Sequence, residues 1–145
     1  MGFFKAMDIS TSALTAQSFR MDVISQNVAN ADTTRTANGT PYQRKTTVLA
    51  EKQTSFEDYL QQSGSNSTVG EGVQVVSTAA DTSPFELVYD PDNADANAEG
   101  YVEMPNVDLV TEYVDMIAAS RSYEANITVM NATKSMALKA LEIGK

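Results

Sequence analysis

The sequence predicts an α+β protein in which long N- and C-terminal α-helices pair as an antiparallel coiled-coil-like hairpin, with a small central β-rich domain. Residues 3–31 and 106–143 lack internal glycine and proline, and both stretches repeat apolar residues at a seven-residue spacing. The residues between them contain most of the glycines and prolines and several short runs rich in β-branched residues. We therefore divide the chain into an N-terminal helix over 1–33, a central domain over 34–105 and a C-terminal helix over 106–145.

The N-terminal helix is predicted from an apolar row that recurs every seven residues and consists of Met7, Leu14, Met21 and Val28. Ile24 belongs to the alternate row of the same seam, which Ser10 and Gln17 interrupt. We expect the polar segment 27–34 to end the helix, because Asn, Asp and Thr side chains compete for backbone hydrogen bonds.

The central domain is predicted to contain four strands, over 42–49, 73–78, 85–89 and 101–104. Residues 54–62 fit a short helix and an extended segment equally well, and the small polar residues 64–68 indicate a loop. A second, strongly acidic loop is expected over 90–100.

The C-terminal helix follows Pro105, and we expect Asn106 to be its N-cap. At 1.5 Å per residue this helix would be about 50 Å long, which is long for a compact small domain and normal for a helical hairpin. Its predicted seam alternates steps of four and three residues and comprises Leu109, Tyr113, Met116, Ser120, Tyr123, Ile127, Met130, Lys134, Ala137 and Leu141.

The composition excludes several classes of protein. The 145 residues include no cysteine and no histidine, so neither a thiolate metal site nor a Cys nucleophile nor a Ser-His-Asp triad can be built. No stretch of about 18 apolar residues exists, so we expect no membrane insertion. The N-terminus becomes polar too soon for a cleaved signal peptide. We expect no cofactor, no metal and no enzymatic activity, although a hydrolase that uses carboxylates alone remains formally open.

Charge is segregated along the chain. Residues 53–116 contain thirteen acidic residues and no Lys or Arg, whereas the segments before and after each have a net charge of +2. The ends are too weakly basic to bind nucleic acid, and the centre would repel phosphate. A solvated acidic surface is the simplest interpretation; the alternative is that the ends and the centre lie in different environments.

The acidic loop invites comparison with a calcium-binding loop. Counted from Asp90, it has Asp95 where an EF-hand needs glycine and Tyr101 where it needs glutamate. We therefore exclude an EF-hand and interpret the segment 90–100 as a hydrated surface loop, with an ion site of another kind as the alternative.

Two motifs resemble those of the bacterial flagellar axial proteins, the family of rod and hook subunits. The first motif has the form N-x-A-N-x-x-T and comprises Asn27, Ala29, Asn30 and Thr33. The second resembles the proximal-rod branch of the family and comprises Pro105, Asn106, Val107, Arg121, Tyr123, Glu124 and Asn126. Together with their surroundings, the motifs cover both helices, about half of the chain, whereas residues 34–83 match the family only weakly.

The resemblance implies a structural subunit of the flagellar basal-body rod, a periplasm-spanning shaft that transmits torque and surrounds the export channel. It also implies a set of partners: other rod subunits, further copies of this chain, the adaptor on the MS-ring side and, during secretion, the flagellar type III export apparatus. Two alternatives remain open at this stage, a different axial subunit and a secreted coiled-coil adaptor of fixed oligomeric size.

In the physical interpretation, each helix has one apolar stripe that needs a helical partner. The predicted assembly interface comprises Met7, Leu14, Met21, Ile24, Val28, Leu109, Tyr113, Met116, Tyr123, Ile127, Met130 and Leu141. For Asn27 and Asn30 two interpretations are open, simple helix termination and a hydrogen-bonded elbow between the helix and the central domain. Arg121 and Glu124 are expected to form an ion pair, either on an exposed helix face or with a neighbouring subunit.

Overall fold

A computed structural model describes residues 3–53 and 70–143 as two long helices that flank four strands. In chain order, the elements are α1 (Phe3–Ala29), β1 (Lys45–Glu51), β2 (Val73–Ala80), β3 (Glu86–Tyr89), β4 (Tyr101–Met104) and α2 (Leu109–Ile143). The predicted α+β class is confirmed, and each predicted strand coincides with an observed one to within a few residues. The predictions for residues 54–62 and 64–68 lie outside the described residues.

The two helices contact each other and run antiparallel. Asn27, near the C-terminal end of α1, bonds to Glu112, near the N-terminal end of α2, so these two ends lie side by side. Helix α2 is 35 residues long and α1 is 27, so α2 extends past the first described turn of α1. The predicted helical hairpin is therefore present, with unequal arms.

The strands form two separate two-stranded antiparallel sheets, β1–β2 and β3–β4. A bulge between Val48 and Leu49 shifts the register of the first sheet, so that Val48 pairs with Ser77 and Leu49 pairs with Val75. Both strands of the first sheet contact α1, whereas β3 and β4 contact none of the other described helices and strands. The first sheet is thus the one that packs on the hairpin.

Gly72 allows the first sheet to approach α1 closely. Its φ is +106°, and an added Cβ would lie 2.2 Å from the Ser12 hydroxyl oxygen and 3.4 Å from the Ile9 Cα. The Ser12 hydroxyl accepts a hydrogen bond of 3.1 Å from the backbone N–H of Val73, the first residue of β2. Side-chain and backbone groups therefore fix the start of β2 on the helix.

The apolar core of the described chain is small. Its buried apolar side chains are Ala16, Val23, Ile24, Tyr42, Val102 and Ala119. Four polar residues are buried to the same degree, namely Ser10, Asn27, Glu112 and Thr133. A core with so few large apolar residues derives limited stability from hydrophobic burial, so the polar contacts and any further burial on assembly matter more.

The acidic loop between β3 and β4 is tied to the segment that follows α1. One carboxylate oxygen of Asp95 accepts a 2.8 Å bond from the Thr34 hydroxyl, and the other lies 3.4 Å from the Arg35 guanidinium. Asn97 closes the loop, because its side-chain oxygen accepts bonds from the backbone N–H groups of Glu99 and Tyr101. The loop is therefore an ordered connection that docks on the turn after α1.

Candidate assembly interface

A buried polar junction joins α1, β1 and α2 at the closed end of the hairpin, and Asn27 is its centre. The Asn27 amide group donates to the carbonyl oxygen of Lys45 at 2.8 Å and to a carboxylate oxygen of Glu112 at 3.1 Å. Its side-chain oxygen accepts from the Tyr42 hydroxyl at 2.9 Å and from the Lys45 backbone N–H at 3.0 Å. Asn27 therefore uses its full hydrogen-bonding capacity while 1% exposed.

The second part of the junction is an ion pair between Arg44 and Glu112. The Arg44 Nε lies 2.6 Å from a Glu112 carboxylate oxygen, and the Glu112 side chain has no exposed surface. Two further carboxylates, those of Asp81 and Asp115, lie 3.6 Å from the same guanidinium. Burial alone would lower the pKa of Arg44, but the hydrogen bond to Glu112 and the three carboxylate charges outweigh it and raise that pKa.

Two neighbouring groups complete the electrostatics of the junction. Burial, followed by the negative charge of Glu112, raises the pKa of the Tyr42 hydroxyl, so the hydroxyl stays protonated as a donor to Asn27. Arg20 on α1 pairs with Asp115 on α2 at 3.3 Å, at a partly exposed position. These contacts hold α1, α2 and the segment before β1 together.

Asn106 does not cap α2 as the sequence predicted. Asp108 is the N-cap instead, because its carboxylate accepts bonds from the Val110 backbone N–H at 3.0 Å and from the Thr111 hydroxyl at 2.6 Å. These bonds lower the pKa of Asp108, the hydroxyl contributing most. Asn106 lies two residues earlier and bonds to the Arg44 backbone N–H and to the carbonyl oxygens of Asp81 and Ser83.

The two asparagines of the first motif have different roles. Helix α1 continues past Asn27 to Ala29, so Asn27 joins elements and does not terminate the helix. Asn30 lies at the helix end and bonds locally, donating to the Gln26 carbonyl at 2.8 Å and accepting from the Thr33 hydroxyl at 3.3 Å. Helix termination therefore describes Asn30, and the hydrogen-bonded elbow describes Asn27.

The rest of the second motif lies along α2 and just before it. Pro105 is buried and Val107 is half-buried. Arg121 and Glu124 lie 3.8 Å apart on an exposed face, with side chains 80% and 64% exposed, which is the simpler of the two predicted arrangements. Asn126 donates to the Ser122 carbonyl one turn earlier on the helix.

The seam between the helices differs from the predicted one on alternate turns. Met116, Tyr123, Met130 and Ala137 are half-buried, in agreement with the prediction. The alternate positions that are buried, however, are Glu112, Ala119 and Thr133, each one residue before its predicted counterpart. On these alternate turns, small and polar residues of α2 therefore face α1, and the larger side chains beside them, such as Tyr113 and Ile127, stay exposed.

The twelve residues predicted for the assembly interface fall into three groups. Ile24 is buried. Seven are half-buried, namely Met7, Leu14, Met21, Val28, Met116, Tyr123 and Met130. Four are exposed by 38% to 71%, namely Leu109, Tyr113, Ile127 and Leu141. The hairpin thus covers Ile24 almost fully and the seven half-buried residues in part, and it leaves the four exposed residues accessible to another molecule.

Additional large apolar side chains on α2 are exposed. Val110, Val114, Ile117, Val129, Met136, Leu138 and Ile143 are each more than half exposed. Scattered exposed apolar residues are common on protein surfaces, but so many on one helix of a protein with a small core are typical of an interaction site.

Among the described residues, no group of three or more acidic side chains could hold a metal ion, and no helix is long and apolar enough to cross a membrane. Asp95, the central acid of the acidic loop, is instead engaged by Thr34 and Arg35.

Sequence reasoning missed most members of the polar junction, among them Tyr42, Arg44 and Glu112. Arg44 and Glu112 are 68 residues apart in the sequence, so their pairing had no local signal. One weak signal was available. Glu112 stands seven residues before Ala119, in a row of small and polar residues that recurs every seven residues, and small residues allow a helix to pack closely against a partner.

Comparison with known proteins gives consistent results for both helices. The family described as flagella basal body rod protein matches residues 7–35, and the family described as flagellar basal body rod FlgEFG protein C-terminal matches residues 98–143. The flagellar basal-body rod protein FlgC of Bacillus subtilis is 55% identical over the full length of both chains. The FlgC proteins of Borreliella burgdorferi and Salmonella typhimurium are 45% and 43% identical, the former over 99% of this chain and 98% of its own length, the latter over the full length of both.

Proposed function

The chain belongs to the FlgC family of flagellar basal-body rod proteins, and on that premise we propose that it assembles into the rod through the apolar surface of its paired terminal helices. As a member of that family it is a structural subunit of the flagellar basal body and not an enzyme. The predicted resemblance to the proximal-rod branch is confirmed, because FlgC proteins match this chain along its whole length and not only at the two motifs.

One observation supports assembly through the helices: many large apolar side chains of α2 are exposed outside the hairpin, while the buried positions of α2 are the small and polar Glu112, Ala119 and Thr133. Burying a Leu or Ile side chain contributes about 1.5–3 kcal/mol, so several such residues per subunit can offset the entropy lost on association. The proposed interface includes the exposed Leu109, Tyr113, Ile127 and Leu141 and the half-buried residues beside them.

We place the subunit in the rod that crosses the periplasm, where it surrounds the export channel and transmits torque from the motor to the hook. Its proposed partners are other rod subunits, further copies of the chain and the adaptor on the MS-ring side, and its proposed route of secretion is the flagellar type III export apparatus. The family resemblance supports this location, these partners and this route of secretion. A secreted adaptor of fixed size is a weaker alternative, because the relatives carry a rod name.

The test replaces an exposed interface residue in a strain that has no other copy of the gene. Ile127 is 38% exposed in the single chain, so Ile127→Asp should leave the isolated protein folded and helical, with an unfolding midpoint lowered only by the loss of the partial burial of this side chain. We expect it to abolish swimming and the appearance of rods in basal-body preparations, because the charge would be buried at the interface. The matched control is Thr128→Asp, an exposed change one residue further along the helix.

Normal motility and intact rods with Ile127→Asp would contradict assembly through this surface. If the variant lost swimming and rods but was also unfolded as an isolated protein, the loss would reflect misfolding and would not support the proposal. Helicity and the unfolding midpoint are therefore measured on the same purified variant.

A further inference from the structure

One side of the β3–β4 sheet is an apolar surface that the rest of the described chain leaves uncovered. Because side chains alternate along a strand and paired residues share a side, the register places Leu87, Tyr89, Tyr101 and Glu103 together. The opposite side holds Val102, which is buried, so that side is turned toward the rest of the molecule. Leu87, Tyr89 and Tyr101 are 62%, 64% and 40% exposed. We call these four residues, 87, 89, 101 and 103, the outer face.

The two tyrosines of the outer face are held in a fixed arrangement. Their ring centroids lie 5.3 Å apart with the planes at 65°, an edge-to-face contact. Gly100 makes room for this pair, because a Cβ added to it would lie 2.9 Å from a ring carbon of Tyr89. Rings that are already positioned lose little conformational entropy on binding, so the face is preorganised for a ligand.

Uncompensated negative charge surrounds the tyrosines. Four exposed acids lie on the outer face or in the loop at its tyrosine end, namely Asp90, Asp92, Glu99 and Glu103. None of them forms an ion pair within residues 3–53 and 70–143. By contrast, the acids that join the elements of the fold all pair with arginines of this chain, namely Asp81, Asp95, Glu112 and Asp115.

This charge restricts what can cover the outer face. Glu103 stands directly opposite Leu87, so an occupant that buries the leucine also removes water from the carboxylate. Such a carboxylate is costly to bury without a positively charged partner. Residues 53–116 contain no Lys or Arg, so the surrounding sequence cannot provide that partner.

A guanidinium group fits this combination best. It is planar and stacks on a tyrosine ring, and its N–H groups pair with a carboxylate in the same plane. The face spans two cross-strand pairs, about 7 Å along the strands, which is room for one or two side chains of a short segment.

We propose that the outer face of the β3–β4 sheet binds an arginine-bearing segment of another protein. The arginine stacks on Tyr89 and Tyr101 and pairs with Glu103 or with an acid of the adjoining loop. This inference goes beyond the proposed function, because the surface lies on a sheet that contacts neither helix and its occupation does not require the helical interface.

The first experiment measures binding to the full chain by amide NMR. The probe is a short synthetic peptide in which arginine alternates with valine, and its matched control has citrulline, which has the same shape without the charge, in place of arginine. Glu103→Gln removes the carboxylate of the face and Tyr89→Leu removes one ring. The matched control variant is Glu86→Gln, an exposed acid of the same sheet on the opposite side. Thermal melts establish that each variant is folded.

We expect the arginine peptide to shift the signals of residues 87–90 and 99–103 and to bind at least about tenfold more tightly than the citrulline peptide. Glu103→Gln should weaken binding about fivefold and Tyr89→Leu about threefold, whereas Glu86→Gln should leave it unchanged. Affinity should also fall as salt is added, because the contact is partly ionic.

The second experiment identifies the natural occupant. The photoreactive residue p-benzoylphenylalanine is incorporated in place of Tyr89, or of Leu87 if rods fail to form, and cells are irradiated before basal bodies are isolated. Incorporation in place of Glu86 is the control. We expect a cross-link from the outer face, absent from the control, to a peptide of another protein that mass spectrometry shows to contain arginine.

Several results would overturn the inference. Equal binding of the arginine and citrulline peptides would show that charge does not select the occupant. A chitin oligosaccharide that shifts the same signals while the arginine peptide does not would indicate a glycan, and cross-links only to copies of this chain or to segments without arginine would indicate a different partner. Intact rods without any cross-link from the outer face would reject this contact and leave the proposed function standing.

Discussion

At the scale of single residues, the side chain of Asn27 determines how the helices meet the first sheet. Its four bonds reach Tyr42 and both backbone groups of Lys45 in one segment and Glu112 in α2, so that together with α1 they link three separate segments of the chain. A hydrophobic contact could hold the same segments together, but it would not fix their relative orientation. The full set of bonds requires one arrangement of the three segments.

Replacing this residue tests the junction. Asn27→Ala leaves the Tyr42 hydroxyl, the Lys45 backbone groups and one Glu112 oxygen without partners, and we expect the free energy of unfolding to fall by about 3 kcal/mol. The control Asn30→Ala, which removes only local bonds at the helix end, should cost less than about 1 kcal/mol. Urea unfolding at neutral pH measures both, and equal effects would count against a special role for Asn27.

The sequence predicted part of the junction and missed the rest for a physical reason. Asn27 and Asn106 could be selected because they belong to motifs, although the motif did not reveal the partners of Asn106. Arg44 and Glu112 come together only when α2 packs beside the segment that precedes β1. A single charged residue in a sequence does not indicate which opposite charge it will meet.

At the scale of the elements, the spacing of the seam residues in α2 agrees with the prediction, but on alternate turns the buried residue is the one before the predicted residue. Large apolar residues at Tyr113 and Ile127 suggested the seam, yet the structure buries Ala119 and Thr133 instead. Heptad spacing identifies an apolar stripe without stating whether the partner is the same chain or a neighbour. In a subunit that assembles, the larger stripe can be kept for the neighbour.

One polar side chain in the α1 seam lacks a hydrogen bond. The side-chain oxygen of Gln17 is buried and has no hydrogen-bond partner within the described part of the chain. We expect Gln17→Leu to raise the free energy of unfolding of the isolated protein by about 1 kcal/mol, because the desolvated oxygen is removed. The control Gln26→Leu, at an exposed position, should change it by less than about 0.5 kcal/mol. A destabilised Gln17→Leu protein in thermal melts would indicate that the oxygen is satisfied in solution.

The contact of β2 with α1 depends on a glycine. Gly72→Ala would place a Cβ against Ser12 and would strain a positive φ, whereas Gly39→Ala strains a positive φ of +79° with no atom within 4 Å of the new carbon. We expect Gly39→Ala to cost about 1 kcal/mol and Gly72→Ala clearly more. Denaturant midpoints of the two variants isolate the cost of the close approach, and equal midpoints would show that the sheet can move away without loss.

At the scale of the whole molecule, acid should weaken the folded state. The pKa of Asp81 is lowered by bonds from the Ser83 hydroxyl and backbone, and that of Asp108 by bonds from Thr111 and Val110. A carboxylate with a lowered pKa in the folded state stabilises it above the ordinary value of about 4, and that contribution is lost as the pH falls through the folded value. The free energy of unfolding should therefore decrease between about pH 5 and pH 2.

Asp108→Asn tests how much of this acid-dependent loss of stability comes from the Asp108 carboxylate. Asparagine is also a good N-cap but does not titrate, so the variant should stay nearly as stable at pH 7 and show a shallower loss in acid. Unfolding curves measured at a series of pH values give both slopes. An unchanged acid slope would mean that the Asp108 carboxylate titrates alike in the folded and unfolded chains.

The unequal length of the helices has a consequence for the isolated molecule. The polar junction holds the hairpin at one end, and the opposite end has no comparable network among the described residues. Amide hydrogens of α2 should therefore exchange with deuterium at rates that increase from Ala119 toward Ile143, as successive turns open more easily with distance from the junction. Incorporation into a polymer should slow exchange most in those last turns, so that a mass spectrometer could follow assembly one peptide at a time.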